Sequence, residues 1–221
     1  MRIYPETFNF LRDLAANNNR DWFIAHKADH DRAKENVTEF AGELIRELSK
    51  IDPSLDPNVD PKKAVLRIYR DVRFSPDKTP YKNNFGIGRM TSGKNVMHIG
   101  YYMQIQPGES FIAGGSWMPE ADQLKKVRQE IDYNAAGLKK VIDGPRFKKL
   151  FGEFRKQEQL KTVPQGYSAN NENIDLLKLK SFVAHHNFTD AELQKEGVVQ
   201  NIAAVCEEMY PLNVFLKNAV S

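Results

Sequence analysis

The chain has 221 residues, 41% of them hydrophobic and 28% charged, with a net charge of +3. That balance is too apolar for a disordered chain and long enough to bury a core without disulfides or a structural metal. A single cysteine, Cys206, rules out an internal disulfide, and no run of ~18 apolar residues offers a membrane span. Together with an N-terminus that carries no apolar secretory segment, this makes a cytoplasmic protein the expectation.

In chain order, Tyr4-Pro5 opens a first helix, because proline suits the first helical position. Phe8, Leu11, Leu14 and Ala15 form its apolar stripe. Asn17-Asn18-Asn19 breaks it, and Asn19 is placed to cap a second, longer helix carrying Trp22, Phe23, Ala33, Val37, Phe40, Ala41, Leu44, Ile45 and Leu48. Pro53 and Pro57 end that helix in a polar loop.

The period then changes. Between Ala64 and Phe74 the even positions Leu66, Ile68, Val72 and Phe74 are apolar, while Arg67, Tyr69, Asp71 and Arg73 occupy the odd ones. That spacing predicts a strand over 64 to 74, with Arg70 breaking the pattern on the apolar face. Two hairpins follow: Ser92-Gly93 joins a strand near Phe85–Met90 to one over Val96–Gln106, and Pro107-Gly108 leads on to Ser110–Gly114. On the middle strand Met97, Ile99, Tyr101, Met103 and Ile105 share a face. Pro119-Glu120 opens a helix bearing Leu124, Val127, Arg128 and Ile131. Short helices follow near 138–142 and 147–151, and residues 160–173 read as loop. A short helix near 174–179, a strand over 181–188, a Thr189-capped turn and a last helix from about Val198 to Ala219, interrupted at Pro211, complete the chain. Sequential hairpins between helical segments predict one α+β domain over 1–221, with a central antiparallel β-meander flanked by N- and C-terminal helices.

Charge singles out one stretch. Residues 61–94 hold nine Lys or Arg against Asp71 and Asp77, a local +7 that leaves −4 on the rest. Arg67 and Arg73 on the outward face of a strand, with Lys78, Tyr81 and Lys82 from the proline-bounded loop behind it, would grip a phosphate-bearing or other anionic small ligand. Chemistry of a hydrolase or transferase kind would need Asp71 or Asp77 as general base. The opposing reading makes the protein a non-catalytic interaction protein in which Arg70, Asp71 and Asp77 form an internal salt-bridge network. Weak nucleic-acid binding is a third reading, disfavoured by the small overall charge.

The stretch Arg67-Ile-Tyr-Arg-Asp-Val-Arg-Phe-Ser-Pro-Asp-Lys-Thr-Pro-Tyr-Lys82 resembles the signature of a widespread, mainly bacterial family of conserved hypothetical proteins, a domain of unknown function. Phe10-Leu11, Asn17 to Phe23, Gly114 to Pro119 and Leu176 to Phe182 resemble it too. The resemblance implies a single domain and marks 67–82, but brings no activity, substrate or cofactor with it.

Other features give less. His26 and His30 stand at i, i+4 without the glutamate of a His-Glu-x-x-His motif, so solvated side chains are the better reading and no metal is expected. His185 and His186, adjacent in a strand, point to opposite faces. Cys206, in the stripe of Ile202, Val205 and Met209, reads as core. Gly114-Gly115 reads as a tight turn rather than an anion cradle, and Trp117 as a cover on the sheet end.

Overall fold

Proline at the first helical position and asparagine at the cap act as expected. In a computed structural model describing residues 1–88, 90, 99–154 and 158–221, helix α1 (Pro5–Ala16) starts behind Tyr4. Helix α2 (Arg20–Ala25) starts behind Asn19, whose side chain accepts a hydrogen bond from the Trp22 amide. The second helix is not continuous. His26 leaves the helical region, closing α2 and opening α3 (Lys27–Ile51). Its ring stacks on Trp22 at 4.1 Å, and its Nδ1 lies 2.8 Å from the Trp22 carbonyl.

Helix α4 (Pro61–Ala64) follows, capped by Asp60. The expected strand over 64–74 is absent, and two isolated antiparallel bridges, Val65 to Ile87 and Tyr69 to Tyr81, stand in its place. The amides of Leu66 and Arg70 donate to the carbonyls of Gly86 and Pro80, and that of Lys82 to Ile68. The reason lies in the opposite segment: Pro80 has no N–H to give, so pairing stops there and residues 71–80 run as a loop. Arg67, Tyr69, Asp71 and Arg73 are exposed as alternation requires, but so is Phe74, at 94%.

A four-stranded sheet with the order β1-β2-β3-β4 confirms the α+β class and its meander: β1 (Phe85–Ile87), β2 (Ile99–Ile105), β3 (Ser110–Ser116) and β4 (Phe182–Phe188). β1 pairs antiparallel with β2, setting Phe85 opposite Ile105. Ile99, Tyr101, Met103 and Ile105 are all buried, as their period predicts. The expected Ser92-Gly93 hairpin, and Met97 with it, lie outside the described residues.

The remaining helices are α5 (Ala121–Ile142), α6 (Pro145–Phe151), α7 (Ile174–Leu177), α8 (Asp190–Leu193) and α9 (Val198–Val220). Helix α5 absorbs the separate helix expected near 138–142 through a kink at Asn134. Thr189 and Glu192 form a capping box on α8. Pro211 is accommodated within α9 without ending it.

The chain separates into two compact units. The first comprises Met1–Lys94, Tyr102–Ile112 and Asn187–Ala204. Its core is built by Phe8, Leu11 and Leu14 of α1 with Val37, Phe40, Leu44 and Leu48 of α3. The second comprises Asn95–Tyr101, Ala113–His186 and Val205–Ser221, with a core of Val127, Ile131, Phe182, Cys206 and Met209. Cys206 is fully buried, and burial pushes its thiol pKa up, as a core role requires. Gly114 and Gly115 form no turn; they lie inside β3. A side chain on Gly114 would meet Met209, and one on Gly115 the carbonyl of Phe182. Trp117 stands 70% exposed, which does not suit a cover on the sheet end. Among the described residues, no helix is long and apolar enough to cross a membrane.

Candidate functional site

The loop 71–80 is shaped by its own side chains. Asp77 Oδ1 accepts the Thr79 amide at 2.9 Å, closing an Asx-type turn. Arg70 Nη1 donates to Asp77 and to the Thr79 hydroxyl, and its Nη2 reaches the Ser75 hydroxyl at 3.4 Å. The Thr79 amide, then the Arg70 guanidinium, hold the Asp77 carboxyl down at a pKa of about 2. Arg70 is thus paired within its own loop, with its side chain 25% exposed.

Arg73 grips Asp71 bidentately, Nε to Oδ1 at 3.0 Å and Nη2 to Oδ2 at 2.7 Å. Their hydrogen bond lowers the Asp71 pKa and raises that of Arg73. With side chains 76% and 46% exposed, this is a surface pair that contributes little to stability. Lys78 turns inward to the Val72 carbonyl at 3.0 Å. Both candidate bases are therefore carboxylates held in the ionised form by neighbouring donors. A general base at neutral pH needs a pKa near 7 instead.

Tyr81 and Lys82 sit differently. Tyr81 is 4% exposed, with its ring stacked on Phe23 at 4.0 Å. Burial, and then the neighbouring Tyr69, raise its phenol pKa. Asn18 clasps its backbone, accepting from the Tyr81 amide at 3.1 Å and donating to the Tyr81 carbonyl at 2.9 Å. Lys82 is half-buried, and its pKa is lowered first by loss of solvent and then by the charge of Arg67. Among the described residues, no carboxylate pairs with its ammonium.

Lys82 opens into a cleft of about 470 Å³ inside the first unit, also lined by Asn18, Arg70, Asp77, Thr79, Asn83 and Asn84. Of the residues the sequence singled out as ligand-facing, Tyr81 and Lys82 border this cleft. Arg67, Arg73 and Lys78 do not line it, although Arg67 acts on Lys82 through its field. Sequence reasoning missed the asparagines. Asn18 was legible only as a helix break, and Asn83-Asn84 only as loop residues.

A second cleft, of about 570 Å³, lies along α1, α2 and α3, bordered by Phe10, Trp22, His26, Asp29, Arg32 and Glu39 among others. Its arginine is spent on Asp29. His30 faces inward, against Phe10, Phe23 and Phe85, so the solvated role expected for it does not hold.

The helices, the meander and the basic loop together define an α+β protein whose basic segment 67–82 borders a polar cleft. The chain belongs to a family described as conserved hypothetical protein (DUF2461), whose model matches residues 6–215. No curated protein and no solved structure matches it.

Proposed function

We propose that this protein binds a small ligand through a phosphate or similar anionic group, held by Lys82 with Arg70 at the wall of the cleft and Tyr81 at its base. One observation carries the reading: a half-buried ammonium, close to a second cation, that no described carboxylate pairs with. Burying an unpaired charge is unfavourable, and proteins retain such groups where a ligand supplies the counter-charge. Arg67 raises the local positive potential, while Arg73 is paired with Asp71 and Lys78 donates to the Val72 carbonyl in the loop beside the cleft. The role is binding without proton abstraction, since Asp71 and Asp77 are already paired. The single cysteine and the lack of a membrane-crossing helix among the described residues support action in the cytoplasm.

Thermal melts in phosphate, against chloride of equal ionic strength, test this. Phosphate at ten times its Kd adds about 1.4 kcal/mol, raising Tm by roughly 3–6 °C. Lys82→Met abolishes that response and Arg73→Ala keeps it. An unchanged Tm in wild type, or an equal response in Lys82→Met, overturns the proposal.

The bonds from Arg70 to Asp77 and Thr79 favour a second reading, a brace with no ligand. On that reading Arg70→Ala speeds proteolysis within 71–80, and phosphate protects neither protein.

A further inference from the structure

The groups around the candidate anion site indicate what carries the anion. We infer that the ligand is a phosphorylated polyol, of the sugar phosphate class, rather than a nucleotide; this rests on the anion-binding reading above.

Beside Lys82 the cleft lining includes three primary amides, Asn18, Asn83 and Asn84, while the Thr79 hydroxyl in the same lining is already bonded to Arg70 and Asp77. A primary amide offers two N–H donors and a carbonyl acceptor, matching a hydroxyl that both gives and takes a hydrogen bond. Asn18 uses one N–H and one lone pair on the Tyr81 backbone, so among the described residues its second N–H and second lone pair have no further partner. Asn84 gives one N–H to Gln106 Oε1 at 3.3 Å, and among the described residues its carbonyl has no partner. Asn83 is exposed, and among the described residues its side chain makes no hydrogen bond. The cleft volume of about 470 Å³ lies within the roughly 300–1,000 Å³ typical of small-ligand sites.

An open ring face on which a nucleobase could stack would add about 1–3 kcal/mol. The aromatic residue lining this cleft is Tyr81, and Phe23 already stacks on its ring. Asp77, the carboxylate in the lining, is bonded by Arg70 and Thr79, which offsets its repulsion of an incoming phosphate. Charge therefore fixes the phosphate, and the amides read the hydroxyls beside it.

Calorimetric titration with inorganic phosphate, adenosine 5′-monophosphate and a set of triose, pentose, hexose and inositol phosphates tests the assignment. At least one polyol phosphate binds tenfold or more tightly than phosphate, while the nucleotide gains nothing over phosphate. Asn83→Ala with Asn84→Ala brings that polyol phosphate back to the level of phosphate and leaves phosphate binding unchanged. If no polyol phosphate exceeds phosphate, or the nucleotide binds tightest, while Lys82→Met still removes binding, the polyol assignment falls and the anion site stands. Silence from every probe ends both.

Discussion

Replacing Gly115 with alanine tests the tightest approach in the second unit. A Cβ there would sit 2.0 Å from the carbonyl oxygen of Phe182 and 3.0 Å from its carbon. An ordinary C···O contact is roughly 3.3 Å, so β3 and β4 would have to part by about 1.3 Å at that point. The obstacle is backbone, which has no rotamer to retreat into. Gly115 also has φ +129°, a conformation that costs an alanine about 1–3 kcal/mol. Losing two or three ladder hydrogen bonds adds about 1 kcal/mol each, for a total near 4 kcal/mol. That is a large part of the roughly 5–15 kcal/mol available to a protein of this kind. Gly114 is the control: its added Cβ meets Met209 at Sδ, 2.9 Å, where the thioether can swing aside, and at Cβ, 3.2 Å, which asks for a shift of a few tenths of an ångström. Urea denaturation of both variants decides the matter. Gly115→Ala loses at least about 3 kcal/mol or fails to accumulate as folded protein, and Gly114→Ala loses about 1 kcal/mol. A Gly115→Ala protein within about 1 kcal/mol of wild type would refute the reasoning.

Two further outcomes are open to measurement. Burial lowers the His30 pKa against the opposing pull of Asp31, with Lys27 and Lys34 adding to the decrease. The unfolded chain therefore takes up the proton first as pH falls below about 6.5, and stability declines there with a slope of at most about 1.4 kcal/mol per pH unit. Urea midpoints between pH 5 and 7.5 should show that decline in wild type and a flatter curve in His30→Phe; identical curves would exclude His30 as its source. Cys206, buried and with its thiolate disfavoured, should resist a disulfide reagent in native buffer and react promptly in denaturant. Stoichiometric labelling of native protein within minutes would contradict the packing of α9.

How far the sequence reveals the molecule depends on the range of the signal. Tyr4-Pro5, Asn19 and the Thr189–Glu192 pair announce their helix starts locally, because each side chain or ring acts on backbone within four residues. The alternation of β2 is equally plain, since its buried face must repeat every second residue. Residues 64–74 alternate just as well, yet form isolated bridges, because a strand also needs a partner with amides to pair, and Pro80 offers none. The glycines of β3 read as a turn when their role is to admit Phe182 and Met209, remote neighbours that no local pattern encodes. In the candidate site, charge density led to the segment that borders the cleft but weighted Arg73, which Asp71 occupies, and Arg67, which does not line the cleft. The neutral asparagines carried no charge signal at all.

The clasp of Asn18 on Tyr81 joins positions 63 residues apart. The shape of the signature is thus imposed from outside it. A peptide cut to positions 67–82, or the same sixteen residues transplanted onto a foreign hairpin, would keep every charge and lose the amide that seats the tyrosine. The motif belongs to its scaffold and does not travel as a cassette.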